Sequence, residues 1–135
     1  LWLRAFIQIK MSRQIKFRAW DAEQNKMIET FDGEYQIHVN EEDGTVYCGG
    51  HMPNGDWNEP PLMQFTGLYD KSRNEIFEGD LLHRHMSVCW VVKFKDSKWV
   101  ADEVKPISGL YLDASQFIEC EIVGNVYENH DVLLA

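Results

Sequence analysis

The chain has 135 residues, 44% of them hydrophobic, and no run approaching the roughly 20 apolar residues that cross a bilayer, so it reads as one soluble folded unit. Its net charge of -9 is unevenly spread: residues 1–19 carry 5 basic and no acidic side chains, 21–60 carry 1 and 10, 61–105 carry 7 of each, and 106–135 carry none and 5. Two acidic blocks oppose phosphate binding, which draws its affinity from clustered Lys and Arg, and the whole-chain field argues against nucleic acid as a partner. Cys48, Cys89 and Cys120 are odd in number and far apart, which suits reduced thiols in a cytoplasm better than a disulfide framework.

In chain order, LWLRAFIQIK (1–10) reads as an extension upstream of Met11 and is set aside from fold reasoning. Ile15, Phe17 and Ala19 alternate with Lys16, Arg18 and Trp20, the period-two pattern of a strand with one buried face. The polar DAEQNK (21–26) reads as a turn into a short second strand at 26–30. In EYQIHV, Tyr35, Ile37 and Val39 share one face with His38 on the other. TVYC (45–48) is a short strand, and residues 49–61, with three glycines and three prolines, read as a loop.

LMQFT (62–66) reads as a strand, 70–74 as a polar turn, and Ile76 and Phe77 as an apolar pair before Glu78, Gly79 and Asp80. The strongest strand signal is LLHRHMSVCWVVKFK, in which Val88, Trp90, Val92 and Phe94 alternate with Cys89, Val91, Lys93 and Lys95. Asp96 and Ser97 form a two-residue connection to KWVADEV, with weaker turn chemistry than Asn-Gly. GLYL (109–112) is a short strand, Asp113 an N-cap for one helical turn, and 119–127 a returning strand. NHDVLLA reads as a last helical turn capped by Asn129.

Three blocks, MSRQIKFRAWD (11–21), LMQFTGLYDKSRNEIFEGDLL (62–82) and IVGNVYENHDVLL (122–134), resemble the YopX family of phage and prophage proteins. The resemblance implies a small β-rich protein of a bacterial host's phage or prophage, without an assigned molecular activity and without a catalytic residue to carry over. In the last block a proline commonly follows the asparagine; here His130 stands in its place, which implies a more easily frayed terminal helix.

The expected fold is mostly β: an N-terminal β region over 11–66 built on a hairpin, then an SH3-like barrel over 67–135 by fold-level analogy, with few short helices. Gly67 and Gly79 are placed where the chain must turn with positive φ, and Asp80, Gly124 and Asn125 complete the structural-motif positions.

Candidate chemistry is sparse. His83 and His85, two apart, would share a strand face as in β-barrel metal sites, but no third ligand follows at suitable spacing, so they read as solvent-facing histidines on an edge strand. Cys48 and His51 make half of a zinc pattern without the other half. Asp80, in a tight turn, reads as an acceptor of backbone N–H bonds rather than as an acid or base. No nucleophile signature or glycine-rich phosphate loop occurs, so no catalytic residue, metal or cofactor is assigned. Lys93, Lys95 and Lys98, with Trp99 and Arg84, form a possible nucleic-acid face, weighed against lysines that guard an exposed strand. Trp57, in the Pro- and Gly-rich segment, is the candidate anchor for a protein interface. The reading is a non-catalytic interaction module for an unidentified host or phage protein, with a homo-oligomer as a further expected partner. A nucleic-acid accessory factor is the alternative and a metal-dependent enzyme the distant one.

Overall fold

A computed structural model describes residues 13–85, 88–106 and 108–131. The 1–10 extension and Val132 and Leu133 of the expected terminal helix lie outside the described residues; the chain enters helical geometry at His130 and Asp131. Among the described residues no helix is long and apolar enough to cross a membrane.

The fold is mostly β and antiparallel, as the alternating patterns require. Among the described residues twelve strands run in chain order: β1 (Phe17–Asp21), β2 (Lys26–Ile28), β3 (Gln36–Val39), β4 (Val46–His51), β5 (Trp57–Asn58), β6 (Leu62–Tyr69), β7 (Glu75–Phe77), β8 (Asp80–His83), β9 (Cys89–Lys95), β10 (Lys98–Glu103), β11 (Tyr111–Asp113) and β12 (Glu121–Asn125). One 3-10 helix, Ala114–Glu119, follows Asp113, whose backbone N–H donates to Gln116 Oε1 at 2.9 Å. The strands form three sheets ordered β2-β1-β6-β7, β11-β10-β9-β8-β12 and β3-β4-β5. One of these antiparallel sheets curls into a half-barrel.

The four-stranded sheet contacts both of the others. On one side Ala19, with Ile28 and Leu62 beside it, packs on Tyr35 and Cys48 of the three-stranded unit. On the other, Arg18 reaches Asp80 of the five-stranded sheet at 2.5 Å, and Met63 lies against Gly79. Strand β1 is therefore covered on both faces: Trp20 is buried and stacks on Tyr127 at 6.3 Å, although simple alternation assigns it to an exposed face. Ile15, expected inside, is 58% exposed because it precedes the paired part of the strand.

The residue 66/67 boundary expected between two regions lies inside β6, which pairs with β1 through its first half and with β7 beyond. The five-stranded sheet begins at Asp80 rather than Gly67. Residues 67–77 instead pack on it, with Ile76 and Leu68 joining Leu82, Val92, Ala101, Leu112, Phe117 and Cys120 in one core. Gly67 sits at φ +82 where the β6–β7 register shifts, the backbone conformation that glycine adopts without steric cost. Of the expected core stripe on β9, Trp90 and Val92 belong to that core, whereas Phe94 is 57% exposed and packs edge-on to Trp99 at 5.0 Å.

Candidate interaction surface

The segment read as a loop over 49–61 is in part sheet: β4 continues through Gly49, Gly50 and His51, and β5 forms at Trp57 and Asn58. The two strand glycines serve close approach, not turning. A Cβ on Gly50 would sit 1.7 Å from the Glu34 carbonyl oxygen, and one on Gly49 would sit 2.5 Å from the Trp57 indole. Strand alternation then sorts the side chains. Cys48 and Gly50 face the core, while Tyr47, Gly49 and His51 face outward, opposite His38 and Trp57 across the ladder.

That outer face carries four rings in contact. His38 stacks on Tyr47 with centroids 5.1 Å apart, Trp57 lies 5.8 Å from His38, and His51 meets Trp57 edge-on at 5.1 Å. Glu59 accepts the indole N–H at 3.1 Å. The histidines are themselves tied to backbone carbonyls, His38 Nε2 at 3.3 Å from Gly49 O and His51 Nδ1 at 3.2 Å from Gly55 O. Trp57 is thus braced by a glycine beneath, a histidine on either side and a carboxylate at its polar edge, yet stays 48% exposed. Trp57 is legible in the sequence, but its neighbours His38 and His51, and Tyr47 stacked on His38, are not. The alternation Tyr47-x-Gly49-x-His51, which puts both rings and the glycine between them on one strand face, was the available signal.

The remaining candidates fall elsewhere. His83 is on β8, which lies between β9 and β12, so the expected edge strand is an interior one; His85 lies past its end, and the two imidazoles do not share a strand face. Among the described residues no group of three or more His, Cys, Asp or Glu side chains could hold a metal ion. Cys48 is buried, which pushes its thiol up to about 11, and His51 is on the opposite face of the strand. A thiol that stays protonated is a poor ligand and nucleophile.

Lys93 and Lys95 both lie against Asp102, at 3.6 and 3.3 Å. Lys98 lies 3.8 Å from Asp113 and over the Tyr111 ring. All three ammonium groups therefore have a carboxylate neighbour.

Asp80 Oδ2 accepts the Phe77 N–H at 2.8 Å within the turn held by Gly79 at φ +85, while Oδ1 meets Arg18. Gly124 admits the Asn129 carboxamide, which would lie 2.2 Å from a Cβ there. Asn125 Oδ1 accepts from the N–H groups of Tyr127 and Glu128 at 3.0 and 2.9 Å, closing the turn after β12.

The model of the YopX protein family matches residues 16–134. No curated protein matches the chain. Among solved structures, protein EF1440 from Enterococcus faecalis is similar at TM-score 0.57 and 25% identity, covering 90% of this chain and 99% of its own. Protein yopX from Bacillus subtilis is similar in fold at TM-score 0.53 and 19% identity, covering 85% and 94%. With the family match running through all three sheets, the chain belongs to the YopX family.

Proposed function

We propose that the chain is a non-catalytic protein-interaction module, encoded by a phage or prophage and working in the bacterial cytoplasm, that seats a basic segment of a host or phage protein on the outer face of the three-stranded sheet. The observation that carries this reading is Trp57, held on four sides and still half exposed. An anchor immobilised before binding loses little entropy on complex formation, and tryptophan is the side chain most enriched among residues that dominate interface energies. Strands β2 to β5 come from the block with 1 basic and 10 acidic residues, so the complementary partner is basic. The three cysteines are free, in keeping with a reducing compartment. A nucleic-acid role for Lys93, Lys95 and Lys98 has less support, since their charges are opposed locally by Asp102 and Asp113.

The test is capture of a partner from infected host lysate, followed by affinity measurement with the purified partner. Light scattering on the chain alone reveals whether a second copy occupies the face. Trp57→Ala should weaken the complex at least tenfold, about 1.4 kcal/mol or more. Its melting temperature should stay within a few degrees of wild type. Equal affinity for the two proteins rejects the assignment.

A further inference from the structure

Asp21 is 1% exposed, and its two carboxylate oxygens have different surroundings. Oδ1 accepts the N–H groups of Glu23 and Gln24 at 3.0 and 3.1 Å, closing the turn between β1 and β2. Oδ2 is buried with no hydrogen-bond partner, alone in this among the described residues. Unpaired buried carboxylate oxygens are rare because they forfeit solvation without recompense. The turn itself does not require one, since an asparagine Oδ1 would accept the same two N–H groups.

Asp21 lies in the lining of a recess of about 410 Å³ between the β1–β2 hairpin and the segment leading into β3. This volume is within the range of small-ligand sites. Ile28, on the same strand face as Asp21, and Tyr35 supply apolar wall; the Tyr35 hydroxyl is already engaged with Met52 and Asn58. Glu29, Asp32 and Glu34 add negative charge. Lys26 is the one basic residue in the lining; it is exposed and not within ion-pair distance of Asp21, its register partner across the hairpin. Trp57 does not line the recess.

We propose that this recess binds an alkylammonium or alkylguanidinium group, its cationic head against the Asp21 carboxylate and its alkyl stem along Ile28 and Tyr35. The acidic lining attracts such a cation and repels anions. The same head and stem occur in free polyamines and in the side chains of lysine and arginine, so two sources share one chemistry.

Amide chemical shifts of the isotope-labelled full chain should be followed during titration with agmatine, with butylammonium, and with the capped peptide acetyl-Gly-Arg-Gly-amide. A sodium chloride titration of matched ionic strength serves as control. Saturable shifts are expected at residues 21–24 and 33–35. They should weaken at least tenfold in Asp21→Asn, which retains the Oδ1 acceptor, two- to threefold in Glu34→Gln, and not at all in Trp57→Ala. Tighter binding of the peptide than of agmatine assigns the site to a protein side chain, and the reverse order to a free amine. Absence of saturable shifts with all three probes overturns the proposal, as does wild-type binding by Asp21→Asn. The Trp57 reading stands or falls separately, because it predicts loss of a macromolecular complex and no change in these shifts.

Discussion

Asp70 and Asp80 are both 1% exposed, yet their surroundings drive the two carboxyl groups in opposite directions. Burial alone would raise Asp70, but the backbone N–H groups of Asn74, Ile122 and Ser72 and the Asn74 carboxamide all donate to it, at 2.8, 3.1, 3.0 and 3.3 Å. The result lies below the usual carboxylate range. A lowered folded-state pKa stabilises the fold above the unfolded value, about pH 4, and that contribution is lost as pH falls through the folded value. Asp70→Ala strands three backbone donors and should cost about 3 kcal/mol in urea unfolding at pH 7. Asp70→Asn should lose less and show a shallower decline in stability between about pH 5 and 2. An Asp70→Asn protein with the same acid profile as wild type would mean that these hydrogen bonds do not set the ionisation.

Among the elements, the β9–β10 hairpin was the most legible, and it still contains a conformation its residues resist. Asp96 and Ser97 both adopt positive φ, +52° and +63°, the geometry of the tight two-residue turn that matches strand twist. Neither is glycine. Replacing the pair by Asn-Gly should therefore stabilise the protein by about 1 kcal/mol, raising the urea midpoint without changing the slope. Strand β4 was legible only through Cys48, because Gly49 and Gly50 look like punctuation in one dimension. Their roles, admitting the Trp57 ring and the Glu34 carbonyl, depend on neighbours 8 and 16 residues away in sequence. The four-ring face was hidden for the same reason: His38 and Tyr47 meet only once the β3–β4 register is set. The Asp21 recess left no local sign either, since an aspartate opening a hairpin turn is common and the recess exists only where residues 32–35 line it beside the hairpin.

For the molecule as a whole, Arg18 and Asp80 join the central strand of one sheet to the first strand of the next. The guanidinium, 12% exposed, meets Asp80 at 2.5 Å and lies 4.6 Å over the Phe77 ring, so it supplies charge and packing at one junction. Burial raises the Asp80 carboxyl pKa, and Arg18 and the Phe77 N–H oppose that rise. A raised folded-state pKa has the opposite linkage to Asp70: its contribution is fully present below the unfolded value and is lost as pH rises through the folded one. Arg18→Met keeps most of the apolar contact but removes the opposing charge, leaving a buried carboxylate whose pKa must climb further. At pH 7 the variant should lose about 3–5 kcal/mol, the cost of an orphaned buried charge. Near pH 4 the gap to wild type should shrink, because the variant's Asp80 then binds a proton in the fold. Adding Asp80→Asn to Arg18→Met should recover part of the loss at pH 7 and remove its pH dependence. If the Arg18→Met deficit is instead the same at both pH values, the junction is held by the guanidinium's packing on Phe77, and the ion pair contributes little to fastening the sheets together.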